Sequence, residues 1–91
     1  MNAIQITVFG RVQGVGFRYT TKRLADNLGI YGSVQNNFDD SVTIKASSPD
    51  STQLEKFIQR IKKSPTPAGK VTEYTETPLT NYNPTEFTVL Y

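Results

Sequence analysis

The sequence predicts an α+β fold of order βαββαβ: an antiparallel sheet with two helices on one face. Three observations predict it. Segments near the start, in the middle and at the end alternate apolar and polar residues with the period of a half-buried strand. Two further segments repeat apolar residues at helical spacing. Each of those has a single apolar stripe, so each has one face to bury, and a shared sheet face buries both.

The elements follow in order. From Ala3 to Val12, Ile4, Ile6 and Val8 share one face and Gln5 and Thr7 the other, which reads as a strand. After a Gly-rich turn, Phe17, Thr21, Leu24, Ala25 and Leu28 recur at helical spacing, and Gly29 is the expected stop. Ile30 to Asn36 reads as a short strand, Asn37-Phe38-Asp39-Asp40 as a turn, and Val42, Ile44 and Ala46 as a third strand. Pro49-Asp50-Ser51-Thr52 opens a second helix, with Asp50 or Thr52 as the N-cap. Leu54, Phe57, Ile58 and Ile61 form its apolar stripe, and Lys62-Lys63 reads as a solvated helix end suited to the dipole. Ser64 to Gly69 is a loop, Val71 begins a polar fourth strand expected at a sheet edge, and Phe87, Val89 and Tyr91 alternate in a last strand. The aromatic residues are expected mostly at core-facing positions, with Phe17, Phe57 and Phe87 as packing rather than a binding platform.

At 91 residues the chain suits one domain spanning residues 1–91. Ten basic and eight acidic residues leave a net charge of +2, too small an excess to indicate nucleic-acid binding. The absences narrow the chemistry more. With no cysteine, disulfides, zinc-thiolate sites and thiol nucleophiles are excluded. With no histidine, a Ser-His-Asp triad is excluded, as are the usual general base and the commonest metal ligand. No apolar run approaches the ~20 residues of a membrane span, and no signal-peptide core opens the chain. A cytoplasmic monomer without cofactor, metal or membrane partner is the default expectation.

One loop stands out as a candidate site. Gly10-Arg11-Val12-Gln13-Gly14-Val15-Gly16-Phe17-Arg18 joins a strand to a helix, so unpaired N–H groups of the first helical turn point outward from its start. The helix dipole favours an anion there. Gly14 and Gly16 let successive peptide groups curl into a nest, and Arg18 adds a forked, permanently charged donor. The pattern is neither GxGxxG nor a Walker A loop. The alternative to this anion cradle is a tight strand-to-helix turn with no ligand. A second constellation, Gly32-Ser33-Val34-Gln35-Asn36, ends a strand that can lie near the loop. The Asn36 amide offers a donor and an acceptor for a water beside a bound phosphoryl group; the plainer alternative is an Asx turn opening the hairpin.

Together, Gly10-x-Val12-Gln13-Gly14-Val15-x-Phe17-Arg18 and the following Gly32-x-Val34-x-Asn36 closely resemble the signature of the acylphosphatase family. Pro67-Ala68 before Val71 and the closing Phe87-x-Val89-x-Tyr91 are similar to its C-terminal half, so the resemblance spans nearly the whole chain. It implies a ferredoxin-like α/β sandwich that hydrolyses acyl phosphates to a carboxylate and inorganic phosphate without a metal. It also implies Arg18 and Asn36 as catalytic residues, with phosphate held by Gln13, Gly14, Val15, Gly16, Phe17 and Arg18. Two positions depart from the family pattern: Asp40 where a glycine usually follows Asp39, and Ser33 where an aromatic is common. These bear on the turn and on local packing rather than on chemistry. The carboxylate of Tyr91 is a candidate partner for Arg18. The competing reading is a non-catalytic anion-binding, RNA-binding or regulatory module on the same fold. RNA-recognition domains stack bases on aromatics of the first and third strands, and Ser41 to Ala46 carries none.

Overall fold

The computed structural model describes residues 2–91. Strand β1 (Asn2–Arg11) leads into helix α1 (Phe17–Leu28), then strands β2 (Tyr31–Asn36) and β3 (Val42–Ser48), helix α2 (Ser51–Lys62), and strands β4 (Lys70–Pro78) and β5 (Phe87–Leu90). The element order is therefore βαββαββ, one strand more than βαββαβ, and the five strands form one sheet in the order β4-β1-β3-β2-β5. β1 pairs antiparallel with β3 and β4, and β2 antiparallel with β3.

The sheet is mixed rather than wholly antiparallel, because β5 runs parallel to β2. Chain length explains this. β4 lies at one edge and β5 at the other, four inter-strand steps apart, or roughly 19 Å at ~4.8 Å per step. The eight residues 79–86, at ~3.3 Å each when extended, cover that distance but not a further return along the sheet. The chain therefore re-enters the sheet at the end where β4 left it, which sets β5 parallel to β2.

The core lies between the helices and one sheet face. Ile6, Val8, Val34, Ile44 and Ala46 come from the strands; Phe17, Ala25, Leu54, Phe57, Ile58 and Ile61 come from the helices. Phe57 meets Phe87 edge-on with ring centroids 6.0 Å apart. The three phenylalanines expected in the core are buried there, but the wider expectation for aromatics does not hold: Tyr19, Phe38, Tyr74 and Tyr91 are exposed. Asp50 is the α2 cap, its carboxylate accepting from the N–H groups of Thr52 and Gln53. Lys62 is not simply solvated. It pairs with Glu76 at 2.6 Å and lies over the Tyr74 ring, tying α2 to β4, and the Glu76 carboxylate raises the pKa of its ammonium. Among the described residues, no helix is long and apolar enough to cross a membrane.

This topology sets the functional geometry. In an antiparallel pair, directly opposed residues share a face. Asn36 is opposite Val42, in the row of Val34 and Ile44, so it lies on the helix side at the last rung of the ladder. The β1–α1 turn lies beyond that end of the sheet.

Candidate active site

The loop is built around two left-handed residues, Gly14 at φ 75° and Gly16 at φ 77°. A side chain there would cost roughly 1–2 kcal/mol per residue, which is why the turn needs glycine. Both Cα atoms face open space. Gly16 is the N-cap of α1 and so supplies no capping side chain, and no acidic residue occupies the first turn. The two helix starts therefore differ: Asp50 occupies the amides of α2, whereas those of α1 have no side-chain acceptor among the described residues. The loop is pinned from behind by Thr66, whose hydroxyl donates to the Val15 carbonyl at 3.2 Å. On the α1 side, the Thr20 hydroxyl donates to the Gly16 carbonyl at 2.8 Å.

Arg18 stands in the first turn of α1 and donates from Nη1 to the Leu90 carbonyl at 3.0 Å. Its guanidinium carbon lies 4.9 Å from the centroid of the Tyr91 ring. The candidate pairing with the Tyr91 carboxylate gives way to these two contacts; the ion pairs among the described residues are Lys22–Asp26 and Lys62–Glu76. Tyr91 lies past the end of β5 and exposes its ring instead of continuing the strand's apolar face. Asn36 presents a buried side-chain oxygen that accepts no hydrogen bond from the described residues. The Asx turn has another owner: the Asp39 carboxylate accepts from the Ser41 N–H and hydroxyl.

These groups converge on a cavity of about 240 Å³ lined by Gln13, Gly14, Gly16, Arg18 and Asn36, together with Val89 and Tyr91. Phe17 also lines it, with its side chain buried in the core. Of the predicted site residues only Val15 is not part of the wall; its side chain packs against the core. Val12, Tyr19 and Val89 join the wall without having been predicted, and Tyr91, singled out only for its carboxylate, joins it as well. Nothing in the alternation of the last strand marks Tyr91 for this place, and the Leu90 carbonyl is backbone that no residue type encodes. Among the described residues, no three carboxylates group into a metal-holding cluster.

A helix start without a side-chain cap, a guanidinium and a strand-end amide thus share one cavity on a two-layer α+β sandwich, an arrangement whose chemistry suits an anion. The acylphosphatase family model matches residues 4–89. An acylphosphatase of Latilactobacillus sakei is 58% identical over 77 residues, covering 85% of this chain and 83% of the relative. One from Pediococcus pentosaceus is 44% identical over 91 residues, with both chains covered in full. The crystal structure of acylphosphatase from Bacillus subtilis superposes with a TM-score of 0.92 at 36% identity, again over 100% of both chains. The chain belongs to the acylphosphatase family, enzymes that act on small acyl phosphates.

Proposed function

We propose that this acylphosphatase hydrolyses its substrate without a metal, holding phosphate on the backbone of Gln13 to Phe17 and on Arg18, with Asn36 orienting the attacking water. The observation that carries this reading is the meeting, in one cavity, of uncapped α1 amides, Arg18 and the unpartnered Asn36 oxygen. A buried acceptor without a partner calls for a donor. A water bound there donates one hydrogen to Asn36 and turns a lone pair toward phosphorus. Phosphoryl transfer demands charge stabilisation and in-line positioning more than covalent help. The loop amides and Arg18 stabilise the phosphate oxygens as charge redistributes. A carboxylate leaves, and being a weak base it needs no general acid. The water's proton passes to the substrate's own phosphate or is lost late, which suits a chain without histidine.

The test is hydrolysis of benzoyl phosphate by pure protein after exhaustive chelation, where full activity is expected. Arg18→Ala should weaken inorganic phosphate binding and lower kcat by ~10²-fold or more. Asn36→Ala should lower kcat by ~10²-fold while phosphate still binds. A metal requirement, or an Arg18→Ala enzyme with near-normal turnover, overturns the scheme. The protein acts as a cytoplasmic monomer in this reading, and light scattering in solution checks the oligomeric state.

A further inference from the structure

Loop and water-holding residue come from separate parts of the chain, and the Gln13 side chain joins them. Gln13 Nε2 donates to the Asn37 carbonyl at 2.8 Å and to the Ser41 carbonyl at 2.9 Å. A primary amide has two N–H donors, so this side chain has none left for a phosphate oxygen while both bonds stand. Asn37 is the residue after Asn36, and Ser41 faces it across the hairpin, its carbonyl also accepting from the Asn37 N–H at 2.8 Å. The β2–β3 ladder ends at the pair Asn36–Val42. Beyond that rung, Gln13 ties the strand end to the phosphate loop. The Asn36 oxygen has no partner among the described residues to fix its direction, so its aim is inherited from the backbone that Gln13 holds. From the Asn37 amide the network runs on to Ser41 Oγ and Thr43 Oγ1 at 2.9 and 2.8 Å, and from Thr43 to Thr7 on β1.

We infer that Gln13 is a positioning residue, whose side chain sets the distance between the phosphate loop and the water held by Asn36 and contributes nothing directly to phosphate binding. The inference rests on the proposed role of Asn36. In-line attack tolerates little displacement: an error of ~1 Å can cost ~10²-fold in rate.

Gln13→Met keeps the length and volume and removes both donors. The fold should survive, because the Ser41 carbonyl keeps the Asn37 N–H and the Asn37 carbonyl keeps the Asp40 N–H. With benzoyl phosphate as substrate, kcat should fall ~10-fold or more, part of the ~10²-fold that misplacement can cost. Inhibition by inorganic phosphate should change less than about two-fold, the margin within which independent effects add. In an Asn36→Ala background, Gln13→Met should cause less than about two-fold further loss, since the water it positions is already lost. Gln13→Asn, which keeps the amide on a side chain one methylene shorter, should lie between wild type and Gln13→Met and provides the comparison should Gln13→Met fold poorly. Weakened phosphate binding, equal losses with and without Asn36, or a kcat unchanged in both variants overturns the inference. If Asn36→Ala itself retains full activity, the reading beneath it falls as well; if Asn36→Ala loses activity and Gln13→Met does not, the Gln13 assignment alone is wrong.

Discussion

Asp40 occupies the hairpin position at which a glycine is usual in the family, and its backbone is left-handed at φ 72°. A Cβ in that region costs roughly 1–2 kcal/mol, somewhat less for Asp than for most residues, while glycine loses more entropy on folding. Asp40→Gly should therefore raise stability by about 0.5–1 kcal/mol, which for a domain this size means a melting temperature higher by roughly 2–8 °C. A thermal melt checks it, and an unchanged or lower midpoint would mean that the Asp40 side chain repays its strain elsewhere. Ser33, the second departure, is half-buried opposite Lys45 and beside Thr88, away from the helix-side core. Gly32, by contrast, belongs to the motif for reasons of packing: a Cβ there would meet the Lys45 carbonyl oxygen at 1.9 Å. Residues of one short motif thus serve different ends, with Gly32 admitting a neighbouring strand and Asn36 facing the cavity.

At the scale of elements, the hairpin between β2 and β3 carries both structure and site. Its tip is closed by the Asp39 carboxylate, which accepts from the Ser41 hydroxyl and N–H. Those two bonds hold the Asp39 pKa below its ordinary 3.8. The folded value is the lower one, so the ionised carboxylate stabilises the fold; that contribution is present above pH 3.8 and is lost as pH falls through the folded value. Asp39→Asn should therefore melt below wild type near pH 6, with the gap closing as pH drops under 3.8. A gap of constant size across that range would show that the Asp39 charge is irrelevant to the turn. Most elements were legible from periodicity, because an apolar stripe and a polar stripe record which face each one buries. The direction of β5 was not legible. It depends on where β4 ends and how far eight residues reach, neither of which leaves a mark in the residues Phe87 to Leu90.

For the whole molecule, the site exists only where the β1–α1 turn, the end of β2 and the end of β5 meet. In the proposed reading, phosphate bound across those segments would link their folding. Inorganic phosphate at ~100 times its Kd should stabilise the protein by about 2.7 kcal/mol, and the gain should vanish in Arg18→Ala. Differential scanning calorimetry reads this directly, with chloride at matched ionic strength as the control; an equal rise with chloride would reduce the effect to general screening.

The candidate site was partly legible for the same reason. Glycines that a turn requires, a charged fork in a first helical turn and an amide at a strand end are written in residue types and spacing. By itself the sequence determined the α+β class, the helix stripes, the capless glycine start of α1 and the exclusion of thiol and imidazole chemistry. Tertiary structure alone decided the parallel fifth strand and the company Arg18 keeps, the Leu90 carbonyl and the Tyr91 ring. It also decided that the Gln13 side chain turns away from the cradle to grip the hairpin. The physical reason is common to all three: each is a contact between backbone or side-chain groups far apart in the chain, and local patterns record which face a residue shows, not which distant partner meets it there.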